Sequence, residues 1–208
     1  MRRVAPALLA CSLCASAASA DLILGNYPPT NDTGTTASVT DLRQKALSFA
    51  MPAGSDYTIS SVTLRLGNYI TPGDVAILEI RDHTGSPTAP GANVVGSFTA
   101  PSSAAAAISD FVFTPSGTIT LQAGTSYWIV LYGGASPSTF DWRGSSPSVT
   151  PTGIATYGGQ SLFTTNAGTS WSNSATINTF QIDGVVVPAP AGAGVLVLGG
   201  LLAARRRR

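Results

Sequence analysis

The strongest constraint on the fold is an uninterrupted apolar run in the middle of the chain. Residues 127–132 read Tyr-Trp-Ile-Val-Leu-Tyr, and Gly133-Gly134 follows directly. Six apolar or aromatic residues that end at a turn signal are typical of a strand covered on both faces. The sequence therefore predicts that residues 127–132 form the central strand of the domain.

Other segments alternate between apolar and polar residues, as half-buried strands do. The apolar faces comprise Val62, Leu64 and Leu66 in one segment and Ala76, Leu78 and Ile80 in another. Further short strands are predicted at residues 22–24, 46–50, 94–99, 111–113, 118–121, 139–143, 153–157, 161–165, 169–172 and 176–182, and a loop at 25–40. Glycine turns, including Gly124 and Gly158-Gly159, separate many of these strands. This pattern predicts an all-β, antiparallel, jelly-roll-like sandwich of about 8–10 short strands.

The first 20 residues have the organisation of a secretory signal peptide. Met1-Arg2-Arg3 is a basic start, residues 4–17 are mostly apolar, and Ala18-Ser19-Ala20 forms an A-x-A cleavage site before Asp21. The sequence therefore predicts export, with a mature chain that begins at Asp21. Leu8-Leu9-Ala10-Cys11 offers a lipoprotein cleavage box as an alternative, but cleavage there would leave an apolar segment of minimal length.

Removal of both ends changes the charge and the redox chemistry of the chain. Cys11 and Cys14 both lie in the signal peptide, so their C-x-x-C spacing indicates neither a redox nor a zinc site in the mature chain. Residues 21–187 contain five basic and ten acidic residues, a formal charge of −5. An acidic body lacks the basic face that a nucleic-acid partner requires. Residues 21–184 have the size of one domain.

The last 24 residues, 185–208, have three parts. Pro188-Ala189-Pro190 precedes an uncharged apolar run at 191–204, and Arg205, Arg206, Arg207 and Arg208 follow. Fourteen residues make a helix of about 21 Å, shorter than the hydrocarbon core of about 30 Å. The positive-inside rule keeps the arginines on the cytoplasmic side. The pattern predicts a transient inner-membrane insertion of the kind that a processing enzyme removes.

This tail resembles a PEP-CTERM sorting signal, in which Pro-Glu-Pro precedes an apolar helix and an arginine cluster. Ala189 stands where that family has glutamate. The resemblance implies processing by an exosortase-type enzyme in the bacterial envelope and delivery to the cell surface or the extracellular matrix. An ordinary C-terminal membrane anchor is the alternative.

The body resembles the bacterial choice-of-anchor domains, most closely the R type. The similar segments are residues 45–49, 59–64, 87–91 and 121–130, which read KALSF, ISSVTL, PTAPG and LQAGTSYWIV. This resemblance implies a surface or matrix module; its motifs are structural, and no activity is implied. The body is also similar, more loosely, to carbohydrate-binding sandwiches.

The sequence predicts no catalytic, cofactor-binding or metal-binding residues. His83 is the only histidine, and no G-x-S-x-G motif accompanies it, so we interpret it as an exposed turn residue. Glu79 is the only glutamate, and the scattered acids show no carboxylate pair typical of a glycosidase. For calcium, Asn31-Asp32 with Asp41, or Asp74 with Asp82, are the oxygen-bearing candidates, without a recognisable loop motif.

Three aromatic residues in the C-terminal third are candidates for contact with a glycan. Trp142, Tyr157 and Trp171 lie in loop-rich segments, where rings can stack on sugar faces. The alternative is that they cover the edge of the sandwich, since buried tryptophans are ordinary in such folds.

From these features we expect an exported, non-enzymatic surface or matrix module, structural or adhesive in an exopolysaccharide or biofilm setting. A carbohydrate-binding module that uses Trp142, Tyr157 and Trp171 is the alternative, with a polysaccharide as its partner. An envelope hydrolase is a third hypothesis, because sandwich folds can host one.

Overall fold

The computed structural model describes residues 19–32, 35–70, 74–83, 88–102, 105–134 and 138–188. Over these ranges the chain forms thirteen strands and no helix. The strands are β1 (Asp21–Gly25), β2 (Thr35–Val39), β3 (Gln44–Ala50), β4 (Tyr57–Gly67), β5 (Ala76–Asp82), β6 (Val94–Thr99), β7 (Ser109–Pro115), β8 (Thr120–Leu121), β9 (Ser126–Gly133), β10 (Phe140–Gly144), β11 (Thr156–Thr164), β12 (Ser172–Asn173) and β13 (Phe180–Val186). The all-β prediction is confirmed, although the strands are more numerous than expected.

One continuous antiparallel sheet folds over into two layers. Its order is β1-β13-β4-β7-β6-β5-β9-β3-β11-β12, with β8 and β10 beside β4 and β2 beside β10. The fold line is the short pairing of β6 with β7, where Phe98 faces Pro115. Strands β1, β13, β4 and β7 form the first layer, and β5, β9, β3 and β11 form the second. Successive strands repeatedly pass between the layers, as a sandwich of this class requires.

The main hydrophobic core lies between the layers. Val62, Leu64 and Leu66 of β4 share one fully buried face, as predicted. Leu78 and Ile80 of β5 and Ile129 and Leu131 of β9 face them from the second layer. The chain has no cysteine beyond its predicted signal peptide, so this burial is its main source of stability.

Strand β9 is the central strand that the apolar run predicted. It lies between β5 and β3, and the side chains of residues 127–131 are all buried. Its second face forms a smaller cluster on the outside of the second layer, which we call the outer cluster. The outer cluster comprises Ala46, Trp128, Val130 and Leu162, with Tyr132 and Trp171 partly buried against it.

The turn before β9 also follows the prediction. Gly124 has φ +69°, a left-handed conformation that favours glycine. Its N–H donates to the Pro52 carbonyl oxygen, and the Met51 N–H donates to that of Thr125. These two bonds attach the turn to the end of β3.

Several local predictions were wrong. The strand expected at residues 176–182 begins only at Phe180 and runs to Val186 as β13. Residues 35–39, expected in a loop, form β2 and pair along their whole length with β10. Residues 169–171 lie outside any strand, and β12 comprises only Ser172 and Asn173. Residues 153–157 and 161–165 were expected as two strands around a glycine turn, but one strand, β11 (Thr156–Thr164), runs through both, and Gly158-Gly159 is a bulge in it.

Both predicted sorting segments fall largely outside the described residues. Residues 1–18, including Ala18, and residues 189–208, including Ala189, Pro190 and Arg205–Arg208, are not described. Ala20, Asp21 and Pro188 are described and lie at the two ends of the sandwich chain. Among the described residues, no helix is long and apolar enough to cross a membrane.

Candidate functional site

The bulge in β11 opens a pocket at the edge of the sandwich. Tyr157 pairs with Phe49 and Ser161 with Leu47, so β11 contains two more residues than β3 over the same distance. Bulges of this kind redirect side chains and often lie beside functional sites. Gly159 takes φ +76°, and a Cβ atom at Gly158 would collide with Ser48. Both glycines are therefore needed for this local shape.

The pocket, which we call the edge pocket, has a volume of about 430 Å³. This volume lies within the usual range for small-molecule sites of about 300–1,000 Å³. Tyr157, Gly159, Gln160 and Ser161 form one wall, and Asn173, Ser174, Ala175 and Ile177 form the other. It lies on the side of the sandwich away from the β6–β7 fold line, where the chain passes from β12 towards β13.

Hydrogen bonds hold the two walls of the edge pocket together. The Ser174 N–H donates to the Ser161 carbonyl oxygen at 2.7 Å, and the Ser161 hydroxyl donates to the Thr176 carbonyl oxygen at 2.6 Å. The Thr176 N–H in turn donates to Ser174 Oγ at 3.2 Å. The pocket is therefore preformed, which reduces the entropic cost of binding a ligand.

Several polar groups around the edge pocket have no partner among the described residues. The side-chain amides of Gln160 and Asn173 form no hydrogen bond there, and neither does the Tyr157 hydroxyl. Tyr157 is half-buried against the main core, and this burial raises its pKa, so its hydroxyl stays protonated at neutral pH. A half-buried ring beside unengaged amides and hydroxyls suits a ligand with both apolar faces and hydroxyl groups.

Lys45 lies behind this wall and is 3% exposed. It shares the inward face of β3 with Leu47 and Phe49, and its Nζ donates to Ser174 Oγ at 2.6 Å. Its Nζ also lies 6.0 Å from the centre of the Phe163 ring. Among the described residues, no carboxylate forms an ion pair with it.

The environment of Lys45 is unfavourable for a charge. Burial first, and then repulsion from the Arg43 guanidinium, lower the pKa of Lys45 from 10.5 to about 8. Lysine is almost never fully buried without a charged partner, and groups with such shifted pKa values concentrate at functional sites. The signal in the sequence was available but missed: Lys45 is the only lysine, and it alternates with Leu47 and Phe49 on an apolar face.

The three aromatic residues predicted to contact a glycan do not form one surface. Trp142 is fully buried in the main core, and its Nε1 donates to the Thr179 carbonyl oxygen at 2.9 Å. It is therefore inaccessible to a sugar, which corrects the prediction for this residue. Tyr157 lines the edge pocket on the inward face of β11, whereas Trp171 packs on the outer cluster.

His83 is half-buried rather than exposed as predicted. Its ring stacks on that of Trp128, with centroids 5.5 Å apart and an interplanar angle of 8°. Glu79, on the outer face of β5, forms an ion pair with Arg81 at 2.8 Å and accepts a hydrogen bond from the Tyr132 hydroxyl. Burial and then this bond raise the pKa of Tyr132 to about 12.

Three of the four acids considered for calcium, Asp32, Asp74 and Asp82, have other partners. Asp32 pairs with Arg65 at 2.7 Å, Asp74 accepts hydrogen bonds from the Ile70 and Thr139 N–H groups, and Asp82 accepts one from Asn93. Within the described ranges, no three His, Cys, Asp or Glu side chains come together as a metal site.

Comparisons with known proteins add no assignment to this geometry. No protein-family model matches the chain, and no curated protein matches it significantly. The class of protein that the structure defines is an antiparallel β-sandwich with a polar pocket at its edge.

Proposed function

We propose that this chain is an exported, non-enzymatic module of the cell surface or extracellular matrix, sorted by an exosortase-type enzyme. The observation that carries the proposal is the agreement between the sandwich and the predicted processing sites. Strand β1 begins at Asp21, directly after the predicted cleavage site, and β13 ends at Val186, two residues before Pro188. Cleavage at both sites would leave every strand intact.

The position of the two ends supports presentation at a surface. Asp21 pairs with Gly184, so the chain begins and ends at the same end of the first layer. The Val187 N–H still donates to the Asp56 carbonyl oxygen, which fixes the chain up to the start of the tail. A module attached through residue 188 would therefore leave the opposite end of its first layer accessible.

The sorting step is tested by variants of the tail in the bacterial host, with antibody labelling of intact cells and of the membrane fraction. We expect replacement of both Pro188 and Pro190 by alanine to abolish surface labelling and to leave uncleaved protein in the membrane. Ala189→Glu, which restores the family motif, is the matched control and should retain surface delivery. Equal surface labelling of the double variant and the wild type would contradict sorting through this motif.

A carbohydrate-binding role is the second candidate, and the edge pocket is the observation that favours it. Its ring and unengaged hydrogen-bonding groups suit a sugar better than the dispersed aromatics that the sequence indicated. In this form the proposal depends on Tyr157, Gln160, Asn173 and Ser174 rather than on Trp142 and Trp171.

A further inference from the structure

We propose that the edge pocket binds the carboxylate-bearing ring of an acidic saccharide, such as a uronate, with the Ser174 hydroxyl and the Lys45 ammonium as its charge-recognising groups. The inference rests on the second candidate function, since it specifies the class of ligand for that same pocket. It adds a requirement for negative charge, which the polar lining alone does not impose.

The first step is the state of the Ser174 hydroxyl. Its oxygen accepts hydrogen bonds from Lys45 Nζ at 2.6 Å and from the Thr176 N–H at 3.2 Å, which occupies both lone pairs. Its hydrogen has one described acceptor, the Thr176 carbonyl oxygen, at the long distance of 3.4 Å. The hydroxyl is therefore a donor that can turn into the pocket, and the bond from the ammonium strengthens it.

The second step is the charge behind that hydroxyl. The Lys45 ammonium uses one donor on Ser174, and no carboxylate among the described residues neutralises it. A buried charge in this state attracts an anion strongly, because little water screens it. An anionic group that reaches Ser174 would supply the missing counter-charge.

The third step is the distribution of the other basic residues. The remaining cations of residues 21–187 are four arginines. Arg65 pairs with Asp32 and Asp110, and Arg81 pairs with Glu79. Arg143 donates to the Asp32 carbonyl oxygen, and Arg43 is the fourth. Arg43 is exposed and has no ion pair with a described residue, and its Cζ lies 6.0 Å from the centre of the Phe163 ring. In an acidic body, Lys45 is thus the one buried cation among the described residues that has no carboxylate partner, and its Nζ lies next to the pocket wall at Ser174.

The fourth step is the nature of the group that carries the carboxylate. Tyr157 offers a half-buried ring, and Gln160 and Asn173 offer amide donors and acceptors that bind hydroxyl groups well. A volume of about 430 Å³ accommodates a sugar ring with its substituents, which a small carboxylate would not fill. These features favour a uronate over a simple organic acid.

The test compares glucuronate, glucose and acetate as probes of the isolated sandwich, residues 21–187, at neutral pH. Calorimetric titration gives the affinities, and backbone amide NMR shifts at Gly159, Gln160 and Ser174 locate the site. We expect glucuronate to bind about tenfold or more tightly than glucose, as a hydrogen bond to a charged group implies. We expect acetate to bind more weakly than glucuronate.

Lys45→Met is the decisive variant, and Arg43→Gln is its matched control with the same loss of charge at an exposed position. We expect Lys45→Met to abolish the preference for glucuronate, while Arg43→Gln changes it little. Loss of the buried charge favours folding, so unfolding would not explain that result. An unchanged preference in Lys45→Met would overturn the assignment of Lys45.

The remaining outcomes separate this inference from the function on which it rests. If glucose and glucuronate bind with equal affinity and shift the same backbone amide signals of the pocket, the requirement for negative charge is overturned, and the pocket remains a saccharide site. If acetate binds as tightly as glucuronate, the assignment of a saccharide as the ligand is overturned. If neither sugar changes the backbone amide NMR shifts of the pocket residues, the inference and the second candidate function are both overturned, while the proposed export is unaffected.

Discussion

Replacement of Trp142 by alanine is expected to lower the free energy of unfolding by about 3–5 kcal/mol, the usual cost of removing a buried tryptophan. Trp142 is fully buried, and its strand β10 pairs with both β2 and β4. The substitution also removes the hydrogen bond from Nε1 to the Thr179 carbonyl oxygen. Without it the buried Thr179 carbonyl oxygen keeps only the long bond from the Arg65 N–H, at 3.4 Å, which adds to the cost of the cavity.

Trp171→Ala is the matched control, because Trp171 is only partly buried against the outer cluster. We expect this variant to lose about 1 kcal/mol, the central value for ordinary substitutions. Urea unfolding followed by far-ultraviolet circular dichroism measures both variants. Equal losses for the two tryptophans would contradict the assignment of Trp142 to the core.

Lys45→Met is expected to have the opposite effect and to raise the free energy of unfolding at neutral pH by about 1–3 kcal/mol. The lowered pKa of about 8 reflects the cost of holding an ammonium in a buried position. Methionine keeps the length of the side chain and removes that cost. The lost bond to Ser174 reduces the gain but does not cancel it.

The pH dependence distinguishes this explanation from a simple packing effect. Below about pH 8 Lys45 is protonated in both the folded and the unfolded chain, and the full cost is present. From about pH 8 towards 10.5 the folded protein has released the proton that the unfolded chain still holds, so wild-type stability rises with pH. This rise of the unfolding free energy with pH should be absent in Lys45→Met.

Measurements from pH 7 to about pH 9.5 avoid the tyrosines, which ionise near pH 10 when unfolded. The pKa of Tyr132 is about 12 in the folded protein, so its contribution is present below pH 10 and is lost as the pH rises further. A wild-type stability that falls between pH 8 and 9.5, or a destabilised Lys45→Met variant, would contradict a costly buried amine.

The sequence predicted the elements in which local pattern and tertiary burial agree. In β4 the alternation of Val62, Leu64 and Leu66 places one face in the core, and in β9 the continuous apolar run requires cover on both sides. Gly124 marks the turn between β8 and β9, since its positive φ favours glycine. These features are local, so a single sequence contains them.

The missed features depend on partners far away in the chain. Strand β2 is a short polar segment that becomes a strand through pairing with β10, about a hundred residues later in the sequence. Gly158-Gly159 resembles a turn, and only the register against β3 shows that it is a bulge. The burial of Trp142 likewise depends on strands on both of its sides.

The edge pocket could not be predicted from composition for the same reason. Its walls come from β11 and from residues 173–177, and neither carries a recognisable motif. Lys45 was the single detectable element, as a charged residue on the apolar face of a strand. Its contact with Ser174 joins residues 129 positions apart, a separation that no local pattern reveals.

The central claim, export and processing into a surface module, is tested most directly by the intact mass of the protein purified from its bacterial host, fraction by fraction. We predict a chain that begins at Asp21 and ends between residues 188 and 191, with or without an attached group, in the surface or matrix fraction. A membrane-bound chain that still carries Arg205–Arg208 would contradict the sorting account and make the tail an ordinary anchor.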